Sequence, residues 1–453
     1  MRTTGYTQDT MNAARRAPLG GFVDLLRAFV PIPDSWNARR DTLYAPAKVF
    51  WLFMGQVFGA DKSCTEIVAQ YAGRRAAAGA KMPSPDSGAY CKARARLPLE
   101  DLRTIHREVI TQAHEPHEAQ GLWRGRRVRV VDGTSVSMPD TPKNQRAYPQ
   151  PSNQKPGCGF PVMRLVVIFS LCTGAIVAFA KSGLRVAERP LFRELCDVLA
   201  PADVVLADRG FCSYADAYLL GKRQVDWVMR KHHSRTSGVT LVRRLGKGDR
   251  LVLWHKNVTG PKWMTPEQWD ALPKRLCVRE LTIIVDVPGF RSKTIVVATS
   301  LLDRRAFPPQ SFAALYRQRW YAELFLRDIK ITLGMDVLRC KTPERVEKEL
   351  LMHLIAYNLL RAVMLRAAAR RSTSSLRLSF KTALATLRQW EPVLACTHDA
   401  DQRARLIQEM LRYLERATIP NRPDRFEPRA RKRRPKAYPL LVKPRQQYKH
   451  NLP

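Results

Sequence analysis

The sequence predicts a mixed α/β fold with helical flanks, on three observations. Between about 121 and 222, β-branched segments that read as strands are interrupted by one amphipathic helix. From about 223 to 300 the apolar pattern has a period of two throughout. On either side of this region, apolar residues recur at helical spacing.

The elements follow in order. Residues 20–120 read as helices in "GFVDLLRAFV", "AKVFWLFMGQVFG", "SCTEIVAQYAG" and "LEDLRTIHREVITQAH". Between them, "PSPDSGAYCKARARLP" is a polar start and a basic helix, capped by Asp86 or Ser87. Its Lys92, Arg94 and Arg96 suit phosphates or plain solvent equally. "RRVRVVDGTSV" reads as a strand that turns at Asp132-Gly133. "MRLVVIFSLCTGAIVAFAKS" is a hairpin turning at Thr173-Gly174, "AERPLFRELCDVLAP" a helix, and "DVVLADRGF" a short buried strand ending at Asp208. Sites are commonly built just beyond strand ends in such sheets.

The period-two stretch, "DWVMRKHH", "VTLVRRL", "DRLVLWHK", "RELTIIVDV" and "KTIVVATSLL", reads as a separate β-rich insertion. Two helices follow, "YRQRWYAELFLRDIK" and "ERVEKELLMHLIAYNLLRAVMLRAAARR", then weaker ones to about 417. The expected division is a helical DNA-binding region at 1–120, an α/β core at 121–222 and 301–365, and the insertion at 223–300. A helical, dimer-forming region at 366–420 and a basic tail at 421–453 complete it. That tail carries eleven Lys or Arg against two acids and reads as a flexible arm.

Charge narrows the function. The 453 residues hold 77 Lys and Arg against 40 Asp and Glu, a net charge of +37. A field of that size attracts polyanions and releases their counterions on binding. Nucleic acid is the expected partner, ahead of an anionic membrane, because no long basic amphipathic helix stands out. No run is expected to span a bilayer: "APAKVFWLFMGQVFGA" is interrupted by Lys48 and Gln56 and reads as buried. The start "MRTTGYTQDT" lacks a signal-peptide core. Nine cysteines without a CxxC pair point to reduced thiols in a cytosol.

The helix "YRQRWYAELFLRDIK" sets Tyr316, Arg319, Glu323 and Lys330 within about 60° of one another at 100° per residue. Arg327 and Trp320 flank this stripe, and Leu315, Ala322, Phe325, Leu326 and Ile329 form a separate apolar face. An ion-paired solvated face explains the pattern; so does an acid held among phosphate-gripping bases. Asp132 and Asp208 each also suit an ordinary turn residue. Together with Glu323 they form a hard oxygen set of the kind magnesium prefers.

At the quoted spacing these residues resemble the Tyr-Arg-Glu-Lys signature of the insertion-sequence 4 family of bacterial DDE transposases. "VVDGTSVSMPD" and "LADRGF" resemble that family's two aspartate blocks, so the likeness covers about 120–365. It implies a ribonuclease-H-like catalytic core carrying the β-rich insertion domain, flanked by helical N- and C-terminal regions. Asp132, Asp208 and Glu323 would hold two Mg2+ ions, with Mn2+ as a substitute. Tyr316, Arg319, Lys330 and Arg327 would contact DNA. The implied activity is cut-and-paste transposition: strand cleavage, a hairpin intermediate and strand transfer. It acts at terminal inverted repeats and target DNA, within a homodimer on the nucleoid.

A hairpin is helped by an extruded base, whose aromatic platform is expected from Trp254, Trp263 or Trp269, with Trp254 preferred. Arg230 and Lys231 line the same groove or a solvated edge; His232 and His233 are not ligands. Two other readings stand beside the transposase, a metal-dependent DNA nuclease and a non-catalytic DNA-binding remnant.

Overall fold

The structure, a computed structural model, describes residues 21–37, 42–235, 237–284, 294–397, 399–420, 440–444 and 447–448. The chain forms two units: residues up to His117 with Arg327–Pro420, and Glu118–Leu326 with Asn421–Pro453. Most of the expected basic arm at 421–453 lies outside the described residues, as do the first twenty.

The second unit is built on one nine-stranded sheet. Its strands are β1 (Val128–Ser137), β2 (Val162–Ser170), β3 (Ile176–Gly183), β4 (Val204–Ala207), β5 (Asp226–Arg230), β6 (Val239–Gly246), β7 (Asp249–His255), β8 (Arg275–Ile284) and β9 (Thr294–Thr299). Their spatial order is β3-β2-β1-β4-β5-β9-β8-β7-β6. β1, β2 and β3 are antiparallel, whereas β4 and β5 run parallel to β1. The β2–β3 hairpin turns as expected, with Gly174 at a φ of 73° that a side chain would disfavour.

Two sequence expectations are corrected. β1 does not turn at Asp132-Gly133 but stays paired with β2 from Arg129↔Ser170 to Ser137↔Val162. Gly133 has no left-handed φ, and β-branched Thr134 and Val136 carry the extended pattern onward. The expected insertion is not a separate body either. β5 falls next to β4 in the main sheet, and its free edge is taken by β9, antiparallel, at Val228↔Thr299 to Arg230↔Val297. β8, β7 and β6 extend the same ladder, since an open edge accepts any strand with unpaired backbone groups.

One sheet face carries a continuous apolar core through Val131, Ile168, Val205, Trp227, Met229 and Trp254, with Phe192, Phe211 and Tyr214 packed against it. The helix Tyr214–Lys222 begins where the Ser213 hydroxyl accepts the Asp216 N–H. Arg193 from Glu188–Glu194 then donates to both Asp216 oxygens, at 2.5 and 3.2 Å. Further along, buried Arg279 forks Asp249 through two 2.8 Å bonds.

The first unit packs around Pro343–Ala369, a 27-residue helix that is apolar almost all round. Contrary to expectation, it is long and apolar enough to cross a membrane, yet 94% of its most apolar stretch is buried inside the fold. It is the core helix of this unit. Leu99–Ala113 and Ala400–Glu415 pack against it, and Asn358 bonds across to His114 at 3.0 Å. In the basic helix Gly88–Arg96, Asp86 accepts the Gly88 N–H, while Ser87 makes no side-chain cap. Arg94 is not offered to phosphate: it donates to Gln56 Oε1 at 2.9 Å and lies 3.7 Å over the Phe53 ring. Lys92 and Arg96 are exposed.

Candidate active site

Parallel pairing brings two of the three carboxylates together. Val130 is the ladder partner of Leu206, and two residues further along each strand direction stand Asp132 and Asp208. Residues two apart in a strand share a face, so Asp132 lies on the face of Val130, opposite the apolar core. On that face Phe169, the partner of Val130 in β2, packs against Phe325 with ring centroids 5.3 Å apart. The helix bearing Glu323 is thereby fixed over the strand bearing Asp132.

That helix is not the single element expected. Pro309–Gln318 and Trp320–Arg327 meet at Arg319, which keeps helical dihedrals, and a π-type turn takes over at Asp328–Thr332. The four-residue spacing survives the junction. Arg319 donates to Glu323 Oε1 at 2.8 Å and comes within 3.9 Å of Asp132 Oδ2. Glu323 is the most accessible of these groups, with 41% of its side chain exposed.

The electrostatics report the same cluster. Burial pushes the Asp132 carboxyl up to about 6; the Gly133 N–H and Arg319 oppose the rise, and Asp208 and Glu323 add to it. Gly133 donates to Asp132 Oδ1 at 2.9 Å, and Gly210 to Asp208 Oδ1 at 2.7 Å. Tyr316 is buried, and burial raises its hydroxyl to about 12, against Arg319 and Arg230 and with Asp208. Tyr316, Arg319 and Arg230 therefore all face the region of the two aspartates.

Sequence reasoning missed Glu188. A Cβ on Gly133 would stand only 2.3 Å from Glu188 Oε1, so this carboxylate rests on the backbone next to Asp132. Burial raises its carboxyl above the ordinary range, with Arg164 opposing and Asp208 adding. The available signal was a glycine directly after a strand aspartate, where a side chain would collide.

Other expected site residues are placed differently. Trp254 is fully buried, donates to Glu280 Oε1 at 2.9 Å and packs on Trp227, so it cannot receive a base. It is buried because its side chain stands on the sheet face that carries the apolar core, with Val252, Trp227 and Trp269. Trp269 is buried as well and bonds Asn257 O. Trp263 is 41% exposed, with the Arg193 guanidinium 3.6 Å over its ring. Lys231 is committed to Glu280 at 2.7 Å. His232 and His233 stack on each other at 4.3 Å. Arg327 and Lys330 belong to the helical unit. There Arg327 lies 4.0 Å from Asp328, and burial lowers the Lys330 ammonium while Asp336 opposes the shift.

Among the described residues, no three His, Cys, Asp or Glu side chains converge tightly enough to form a ready metal cage. The donor chemistry nonetheless suits a hard divalent cation: carboxylates at matched strand positions, whose mutual repulsion shows in Asp132. In the described geometry the Arg319 guanidinium lies beside two of them, where it partly offsets their charge.

Comparison with known proteins places the chain in a family. The family described as "Transposase DDE domain" matches residues 123–359, just over half of the chain. The transposase InsG for insertion sequence element IS4 of Escherichia coli (strain K12) is 28% identical over 362 residues, covering 78% of each chain. A cryo-EM structure of piggyBac transposase, a synaptic complex with hairpin DNA, superposes with a TM-score of 0.39 at 10% identity. It covers 88% of this chain and 85% of that one, and a score so low says nothing about function. The chain belongs to the DDE-domain transposases and, within them, to the insertion-sequence 4 family.

Proposed function

We propose that this transposase moves its element by cutting both DNA strands at terminal inverted repeats and rejoining the freed ends to a target. The observation that carries the reading is the shared level of Asp132 and Asp208 on adjacent parallel strands, with Arg319 reaching from Asp132 to Glu323. The strand order β3-β2-β1-β4-β5, antiparallel then parallel, supports a ribonuclease-H-like core.

Asp132, Asp208 and Glu323 would hold two magnesium ions. Bound there, the ions would activate a water or 3′-hydroxyl and offset charge on the leaving oxygen. Glu323 must turn away from Arg319 to join the aspartates. Arg319 is then released to make a two-pronged contact with a phosphate oxygen pair. Tyr316 and Arg230 border the same face and would orient the backbone near the broken bond. Lys330 and Arg327 would contact the backbone from the helical unit. Water attacks one strand, the 3′-hydroxyl attacks the opposite strand to give a hairpin, and reopening frees the 3′-end for joining. A homodimer would hold both ends. With Trp254 buried, Trp263 is the remaining exposed candidate for stacking an extruded base.

The test is a labelled duplex bearing the element's terminal repeats, incubated with protein and magnesium beside Asp132→Ala, Asp208→Ala and Glu323→Ala. Nicking at the repeat boundary, then hairpins and joined products, all lost in the variants, is the expected result. Nicking without hairpins or joining would make the protein a nuclease. Binding without cleavage, unchanged by the substitutions, would make it a DNA-binding remnant.

A further inference from the structure

Within the helical unit, a cavity of about 420 Å³ opens between the C-terminal end of Pro46–Phe58 and the loop after the Asp328–Thr332 turn. Three cations line it: Lys62, Arg339 and Arg388. Ala60, Thr332, Gly334 and Asp336 complete most of the wall.

The three cations are tied to backbone carbonyls. Lys62 Nζ donates to Val57 O at 2.8 Å and Gly59 O at 3.0 Å. Arg388 donates to Phe58 O and, at 3.2 Å, to Gly59 O, and Arg339 to Asp61 O at 2.7 Å. Capping the free carbonyls of a helix end accounts for part of this, since cations favour that end of the helix dipole. It does not account for all of it. One or two cations satisfy such an end, and here three gather without any of them making an ion pair to a described carboxylate. Elsewhere in this unit less exposed cations do find one: partly buried Arg74 with Glu391, buried Arg361 with Asp328.

The charge is therefore in excess. Burial, then Arg388 and Arg339, lower the Lys62 ammonium to about 8, with Glu66 opposing. Asp336 shares the wall, but its field acts on Lys330. The scaffold is also shaped for close approach. Lys62 holds a left-handed φ of 60°, and Gly334, at φ 75°, passes so near that a Cβ would lie 2.7 Å from Lys62 Cε. A non-glycine residue in that conformation is strained, and such strain tends to persist at ligand sites. Among the described residues, guanidinium N–H groups on Arg339 and Arg388 remain without an acceptor beyond these carbonyls, and their fork geometry matches a tetrahedral oxyanion.

We propose that Lys62, Arg339 and Arg388 form a phosphate-binding site in the helical unit, distinct from the carboxylate cluster, which takes a backbone phosphodiester of DNA. The identity of that ligand rests on the proposed function; the capture of a phosphate group does not. A cavity of this size accommodates the phosphate with a flanking sugar, a contact that sets register without reading sequence.

The test uses the full chain and two probes. A terminal-repeat duplex is bound across a salt titration, and thermal unfolding is followed with increasing inorganic phosphate. Each phosphate contact contributes a slope of about 0.9 in log affinity against log salt. Arg339→Gln and Arg388→Gln should each flatten the slope by about one contact, roughly a 3- to 4-fold smaller affinity loss between 50 and 200 mM salt. Lys62→Arg should keep the wild-type slope. Phosphate should raise the unfolding temperature of wild type but not of Arg339→Gln. Arg388→Gln removes bonds to two carbonyls and can lower stability by itself; a purely structural role would leave the slope untouched. Phosphate-dependent stabilisation with unchanged DNA slopes would assign the site to free phosphate instead. Unchanged slopes and no phosphate effect would overturn the proposal. Loss of cleavage in Asp132→Ala bears on the proposed function alone and leaves both readouts intact.

Discussion

Arg319 donates to Glu323 at 2.8 Å and stands 3.9 Å from Asp132, so one guanidinium spans two of the three acids. Without it, partly buried Asp132 would face Asp208 and Glu323 with less counter-charge. Arg319→Gln is expected to lower strand cleavage by about 10²-fold or more, the scale of losing one transition-state donor. Binding of the terminal-repeat duplex should change by less than about tenfold, since many other contacts hold the backbone. Single-turnover cleavage beside equilibrium binding reads both. Equal losses in the two would make Arg319 a binding residue only.

Gly133→Ala probes Glu188 without touching it. The added Cβ lands 2.3 Å from Glu188 Oε1, and the end of that side chain must swing away. Because the clash is with a flexible tip, the stability cost should stay below about 1 kcal/mol. Cleavage should nevertheless fall if the Glu188 carboxylate contributes at the site, and Glu188→Gln should fall alongside it. Wild-type cleavage in both variants would reduce Glu188 to a packing residue.

Glu280 anchors the inner part of the sheet. Although burial pushes its carboxyl upward, Lys231, Trp254 and Arg250 together hold it below the ordinary range. Their bonds to it measure 2.7, 2.9 and 2.7 Å. Glu280→Ala would leave Lys231 and the Trp254 N–H buried without this partner, a loss of about 3–5 kcal/mol. Denaturant unfolding measures it, and a change within about 0.5 kcal/mol would show that the network adds nothing.

Acid should unfold the helical unit first. Burial lowers His106 and His114 to about 4 and His353 to about 3, from 6.5. Each is neutral in the fold and charged in the unfolded chain below 6.5, so the unfolded state binds more protons there. Their stabilisation is complete above 6.5 and fades as the pH falls, by about 2 kcal/mol per histidine at pH 5. His353→Gln should flatten this loss between pH 6.5 and 5. An unchanged profile would mean that His353 is protonated in the fold.

The motif residues were legible because their signals are local. The offset between Arg319 and Glu323 is one helical turn whatever surrounds it, and strand-end Asp208 follows from a short β-branched run. What escaped depends on pairing between distant segments. The pleat of β1 past Gly133 is set by β2, and the burial of Trp254 by the core residues Trp227 and Trp269 from other elements. The same holds for β5, which pairs with β4 from before the stretch it opens and with β9 from that stretch's far end. Arg94 read as a phosphate contact or a solvated residue because no sequence rule shows Phe53 and Gln56 waiting two helices earlier.

The seam between β5 and β9 bears on how this chain tolerates shortening. A version trimmed from β6 through β9 would keep Asp132, Asp208 and Glu323, yet leave Val228 to Arg230 with bare amides and carbonyls along a new border. Such a border recruits strands from neighbouring molecules. The hairpins that carry none of Asp132, Asp208 and Glu323 thus also serve as a selvedge, keeping the sheet from joining to its own copies.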